Sequence, residues 1–152
     1  MANGEVEILY VEDDDADVEL TLIALEEFRI ANAIHVARDG VEALDFLFSR
    51  GPHSNRSFSL PKFVLLDLKL PKISGLEVLQ AIRNDERTRT VPVVVLTSSK
   101  EQVDMIDSYK LGVNSYIQKP VDFEQFQKTI RQLGLYWLVV TQAPPMYSPS
   151  TA

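Results

Sequence analysis

Nine residues constrain this chain more than any others: Phe63–Pro71, reading F-V-L-L-D-L-K-L-P. Four apolar residues, Phe63 to Leu66, run directly into a single carboxylate, Asp67. A run that short and that apolar suits a central strand of a parallel sheet, covered on both faces. Lys69, Leu70 and Pro71 then turn the chain out of the strand, and Gly75 precedes the next apolar-periodic segment. Asp67 therefore falls at the carboxyl end of a central strand, where open α/β sheets place their ligands. A carboxylate is costly to bury there unless something pairs with it.

The other segments alternate in the same manner. Ile8–Val11 is a short apolar run ending in Glu12-Asp13-Asp14-Asp15, and Val18, Leu22 and Leu25 follow at helical spacing. Ile34–Ala37 reads as a second strand, Asp39-Gly40 as a turn, and Val41, Leu44, Leu47 and Phe48 as the stripe of a second helix. The stretch between Arg50 and Lys62 is a loop on composition, long for a helix-to-strand connection. After the Phe63 strand, Leu76, Leu79 and Ile82 mark a third helix. Val91–Leu96, with Pro92 near its start, predicts the fourth strand, and Glu101 to Lys110 the fourth helix, stopped by Gly112. Ser115–Gln118 predicts the fifth strand, closed by Lys119-Pro120, and Phe123, Phe126, Ile130 and Leu133 line the last helix. Five β-α units in succession predict an α/β fold, a doubly wound parallel sheet with helices on both faces.

At 152 residues the expectation is one domain. There is no cysteine, which excludes disulfides and thiolate metal sites. No apolar run is long enough to span a bilayer, and the first residues lack the basic and apolar regions of a signal peptide. A cytoplasmic protein with no membrane partner is expected. A net charge of −7 argues against a nucleic-acid partner, which usually meets a basic face.

The notable polar residues fall at strand ends: Glu12 and Asp13 after the first, Asp67 after the third, Thr97 after the fourth and Lys119 after the fifth. The carboxyl ends of neighbouring strands converge on one crevice in such a sheet. Three carboxylates brought together need a cation, and with only oxygen ligands Mg²⁺ is the natural one. A lysine and a hydroxyl beside a metal-bound carboxylate make a site for a phosphoryl group, with Asp67 as nucleophile.

The set Glu12-Asp13, Asp67 with Pro71 four residues on, Thr97 and Lys119-Pro120 resembles the receiver domain of two-component response regulators over about residues 5 to 134. The resemblance implies a flavodoxin-like (βα)5 sheet of order 2-1-3-4-5 and phosphorylation of Asp67 by a histidine kinase. It implies Mg²⁺ held by Asp13, Asp67 and the Lys69 carbonyl, with Glu12 reaching it through water. Lys119, with the Thr97 and Ser98 segment, would meet the phosphoryl group, and the bond preceding Pro120 would be cis. Thr97 and Tyr116 match the family's switch pair, while Lys69 and Ser99 occupy the positions that flank the path of hydrolytic water. The long Gly51–Pro61 loop, the D-L-K-L-P segment and a Y-W-L near the end look like the short regulators paired with bacterial and cyanobacterial phytochromes.

The chain is thus expected to be a signalling module with no attached output domain, rather than an enzyme. Two rival readings are a Mg²⁺-dependent phosphatase of the haloacid-dehalogenase type and a degenerate receiver that binds partners without phosphorylation. The first needs an acidic residue two positions after the nucleophile, where Lys69 stands. The complete set of motif pieces argues against the second. Residues 135–152 form an extension whose Tyr136, Trp137 and Leu138 are expected to build a homodimer interface, because an exposed run of that kind is an aggregation liability. His35 and His53 have no ligand-like spacing and are read as structural or surface residues.

Overall fold

The computed structural model describes residues 6–26 and 33–134. The order is β1 (Val6–Val11), α1 (Asp15–Glu26), β2 (Ala33–Ala37), α2 (Gly40–Leu47), β3 (Phe63–Asp67), α3 (Gly75–Asn84), β4 (Val93–Thr97), α4 (Lys100–Asp107), β5 (Ser115–Gln118) and α5 (Phe123–Gln132). All paired strands are parallel, as the alternation predicts, and the sheet order is β2-β1-β3-β4-β5, the flavodoxin-like arrangement that the resemblance implies.

The pleat explains the two cores. Leu9, Val11, Val64, Leu66, Val93 and Val95 point to one face, where they meet α2, α3 and Ile106 of α4. Ile8, Tyr10, Phe63, Leu65, Val94 and Leu96 point to the other, against α1 and α5. β3 and β4 are buried at every position, as two-faced strands must be. No helix among the described residues is long and apolar enough to cross a membrane.

Several boundaries differ from the sequence-based expectation, each for a local reason. β4 begins at Val93 rather than Val91. Pro92 has no N–H to give to the ladder, and only its carbonyl joins, accepting from the Val64 amide at 2.9 Å. α4 ends at Asp107 rather than Lys110, because the Tyr109 and Lys110 amides bond three residues back and Lys110 takes a left-handed φ of 54°. Asp39-Gly40 is a helix start rather than a free turn, since the Asp39 carboxylate accepts from the Glu42 amide at 2.8 Å. Val41, placed on the buried stripe of α2, is exposed, and Ala43 and Phe46 take the buried positions instead. The long loop opens with a single 3₁₀ turn, Gly51–His53. Tyr136, Trp137, Leu138 and the rest of the extension lie outside the described residues.

Candidate functional site

The first residue or two past β1, the last of β3 and β4, and the first past β5 meet at one edge of the sheet. Glu12 continues the β1 ladder, its amide donating to the Ala37 carbonyl at 2.9 Å, and its side chain lies close to Asp67 and Lys119. Lys119 is fixed in the same way by donation to the Thr97 carbonyl at 2.8 Å. Asp67 is buried, and the turn after it is held by Gly75, whose amide donates to the Leu68 carbonyl at 3.0 Å. A Cβ on Gly75 would stand 2.5 Å from the Asp67 carbonyl oxygen, so only glycine lets α3 start this close to the site.

Carboxylate oxygens of Glu12, Asp13 and Asp67 all lie within 4.8 Å of one another. The Lys119 ammonium reaches into the group, 3.1 Å from Glu12 Oε1 and 3.4 Å from Asp67 Oδ1. Its nearest partner is one the sequence reading missed: Asp17 Oδ2 on the first turn of α1, at 2.7 Å. The fully buried Tyr10 also faces this corner, its hydroxyl donating to the Asp17 carbonyl at 3.3 Å. Glu12, Asp17 and Asp67 thus share one ammonium, with the Asp13 carboxylate close beside Glu12 and Asp67.

That imbalance shows in the proton affinities. Burial, reinforced by the charge of Asp67, pushes the Glu12 carboxyl up to about 7 against the pull of Lys119. Burial also holds Asp67 above the ordinary carboxylate range, again opposed by Lys119. Burial disfavours the Lys119 ammonium, yet Asp17, Asp67 and Glu12 together outweigh it and hold its proton above the usual range. Under-neutralised oxygen donors at this density suit a hard divalent cation, so the residues present fit Mg²⁺ on their own chemistry.

Thr97, buried at the end of β4, faces a groove of about 460 Å³ lined also by Val103, Tyr116, Gln118 and Gln125. The Tyr116 hydroxyl donates to Asp107 Oδ1 at the end of α4. Ser98 is exposed, and its amide donates to Gln102 Oε1 at 2.8 Å. Ser99 caps α4, accepting from the Gln102 amide at 3.3 Å, so the cap is one residue beyond the Thr97-Ser98 pair. Lys69 is exposed, two residues beyond Asp67. The Lys119–Pro120 peptide bond is cis. His35 and His53, which share no motif spacing, both reach Glu42 of α2, a convergence that only the fold creates.

Residues 8–131 match the family described as the response regulator receiver domain. The chain is 43% identical over 137 residues to the probable methanogenesis regulatory protein FilR2 of Methanothrix harundinacea, covering 90% of this chain and 86% of that one. It is 37% identical over 137 residues to response regulator Rcp1 of Synechocystis, covering 90% and 92% respectively. The Mn²⁺-bound structure of Rcp1 superposes with a TM-score of 0.69 over 90% of this chain and 97% of that one. The structure of bacteriophytochrome response regulator RtBRR superposes with a TM-score of 0.84 at 50% identity, covering 93% and 86%.

Proposed function

The chain belongs to the response regulator receiver-domain family, and from that premise we propose that it works as a phosphoryl acceptor in the cytoplasm, loaded on Asp67 by a histidine kinase. The observation that carries this reading is the position of Asp67. It is a buried carboxylate at a strand end, with the Lys119 ammonium at 3.4 Å and the Glu12–Asp13 pair within 4.8 Å.

In the transfer, an Asp67 carboxylate oxygen forms a bond to phosphorus as the P–N bond to the kinase's phosphohistidine breaks. The electron pair stays on the departing imidazole, and the product is an acyl phosphate. Lys119 neutralises the phosphoryl oxygens, and the Thr97 hydroxyl, with the Ser98 segment beside it, donates hydrogen bonds to them. Asp13, Asp67 and the Lys69 carbonyl would hold Mg²⁺, with Glu12 acting through water, and the ion would add charge neutralisation at the same oxygens. Lys69, two residues after Asp67, and Ser99, two after Thr97, set how readily water reaches the acyl phosphate.

The signal leaves through the surface of α4, β5 and α5, where Thr97 and Tyr116 form the switch. Likeness to the bacteriophytochrome response regulator RtBRR, together with the long 51–61 loop, supports a phytochrome-type kinase as the donor. The apolar Tyr136-Trp137-Leu138 run supports a homodimer.

Incubation with a small phosphodonor and Mg²⁺, read by intact mass, tests the core of this reading. One phosphoryl group per chain is expected, and none in Asp67→Asn, which keeps the shape but removes the nucleophile. Labelling of Asp67→Asn as strong as wild type would move the acceptor elsewhere, with Asp13 next in line. Multiple turnover of the donor would favour the phosphatase reading instead.

A further inference from the structure

We propose a second metal site that shares no ligand with the strand-end carboxylates: a divalent transition-metal site, best suited to Zn²⁺, made by His35, Glu42 and His53. The chain has two histidines, and both converge on one carboxylate oxygen. His35 Nε2 lies 3.2 Å and His53 Nε2 3.8 Å from Glu42 Oε2, and the three ligating atoms are all within 4.8 Å of one another. Two donors bound to Zn²⁺ at ~2.0–2.1 Å with a tetrahedral angle between them lie about 3.3 Å apart. The observed spacings bracket that value, so small side-chain shifts suffice to close three ligands on one ion. Two imidazoles and a carboxylate select zinc and its transition-metal neighbours over Mg²⁺, which prefers oxygen alone.

The three residues come from three elements, and each is independently held. His35 sits on the edge strand β2 and stacks on Phe46 with ring centroids 4.0 Å apart and planes within 5°. Glu42 is fixed at the start of α2 by the Asp39 cap, and its other oxygen, Oε1, accepts from the Arg38 amide at 3.0 Å. A backbone donor on the non-ligating oxygen is the usual outer support of a metal-bound carboxylate. His53 closes the 3₁₀ turn that opens the long loop, packing edge-on against both His35 and Phe46. Side-chain exposures of 25%, 33% and 21% for His35, Glu42 and His53 leave a fourth ligand position open to water. A bound ion would clip the loop after α2 to the sheet edge. This site is independent of the phosphoryl reading.

The test is titration of the untagged full chain with Zn²⁺ alone by calorimetry, in excess Mg²⁺, with Co²⁺ as the spectroscopic probe. One Zn²⁺ per chain is expected, with the visible ligand-field bands of four-coordinate Co²⁺ at the same stoichiometry. The imidazole resonances of both His35 and His53 should shift together in wild type, a readout that needs no variant. His53→Gln and Glu42→Gln should each weaken binding at least ~tenfold, while Asp13→Asn/Asp67→Asn binds as wild type. Metal-free melting of each variant separates lost ligands from lost fold. Failure of wild type to bind Zn²⁺ overturns the proposal. So does binding by a folded His53→Gln as tight as wild type, or loss of binding in Asp13→Asn/Asp67→Asn alone.

Discussion

The Lys119 ammonium stands 2.7 Å from Asp17 Oδ2 but 3.4 Å from Asp67 Oδ1. The lysine that serves the acceptor is therefore held most closely by a carboxylate on α1, and a phosphoryl group on Asp67 must compete with Asp17 for it. Charge-assisted pairs of this kind are strong where water is scarce.

Asp17→Asn weakens that competitor while keeping its shape. The fraction of chain phosphorylated at limiting donor should rise several-fold, measured by intact mass across a donor series. A fall below wild type would mean that Asp17 positions the lysine instead of drawing it away.

The acidic run after β1 divides its labour. Asp13 faces Glu12 and Asp67, whereas Asp14 Oδ1 caps α1 by accepting from the Asp17 amide at 2.9 Å. Asp14→Ala should lower stability by about 1 kcal/mol, with or without metal. Asp13→Ala should instead remove most of the Mg²⁺-dependent rise in melting temperature, because a cation that binds only the folded chain stabilises it by mass action. Equal loss of the Mg²⁺ effect in both variants would mean that the run acts diffusely.

These contrasts mark what the sequence could and could not disclose. Asp67, Glu12 and Thr97 were legible because each ends an apolar run, and Lys119 because it closes the last strand-like segment; a parallel sheet brings such ends together without further information. Asp17 was not legible, since its partner is set by how α1 leans on the sheet, and nothing in the spacing of Asp14 to Glu19 separates it from its acidic neighbours. The His35–Glu42–His53 group was invisible for the same reason: an edge strand, a helix start and a loop turn meet only after folding. The fourth strand was displaced by two residues because apolarity alone extended it through Pro92, where the missing N–H ends the ladder.

The raised affinity of Glu12 for its proton gives a pH dependence with a definite sign. In the folded chain Glu12 gives up its proton near 7, against 4.5 for an ordinary glutamate. The folded state binds the extra proton between those values. This contribution to stability is full below the lower one and is lost as pH rises through the upper one. Asp67 is shifted in the same direction. Metal-free protein in EDTA should therefore lose melting temperature between about pH 4.5 and about pH 7, and Glu12→Gln should flatten that slope. Mg²⁺ competes with the same protons, so its stabilising effect should grow over the same interval. A metal-free melting temperature that rises through this interval in wild type would contradict the assignment.

The Tyr116 hydroxyl is tied to Asp107 at the end of α4, and the groove lined by Thr97, Val103 and Tyr116 has room for a ring. Drawing the Thr97 hydroxyl towards a phosphoryl group on Asp67 vacates space there, and the ring can follow once its bond to Asp107 breaks. Asp107→Ala should lower that barrier without any phosphoryl group. α5, whose Gln125 lines this groove, ends at Gln132, and the Tyr136-Trp137-Leu138 run follows in the sequence. Sedimentation of wild type should show a dimer that strengthens with phosphodonor, and Asp107→Ala should strengthen it without donor. Truncation after Gly134 should shift the protein towards monomer while Asp67 labelling persists. Trp137→Ala should do the same, because one buried aromatic anchor often dominates an interface. An identical monomer for wild type and truncation, with and without donor, would sink the coupling between switch and assembly and leave the tail as cover for its own core.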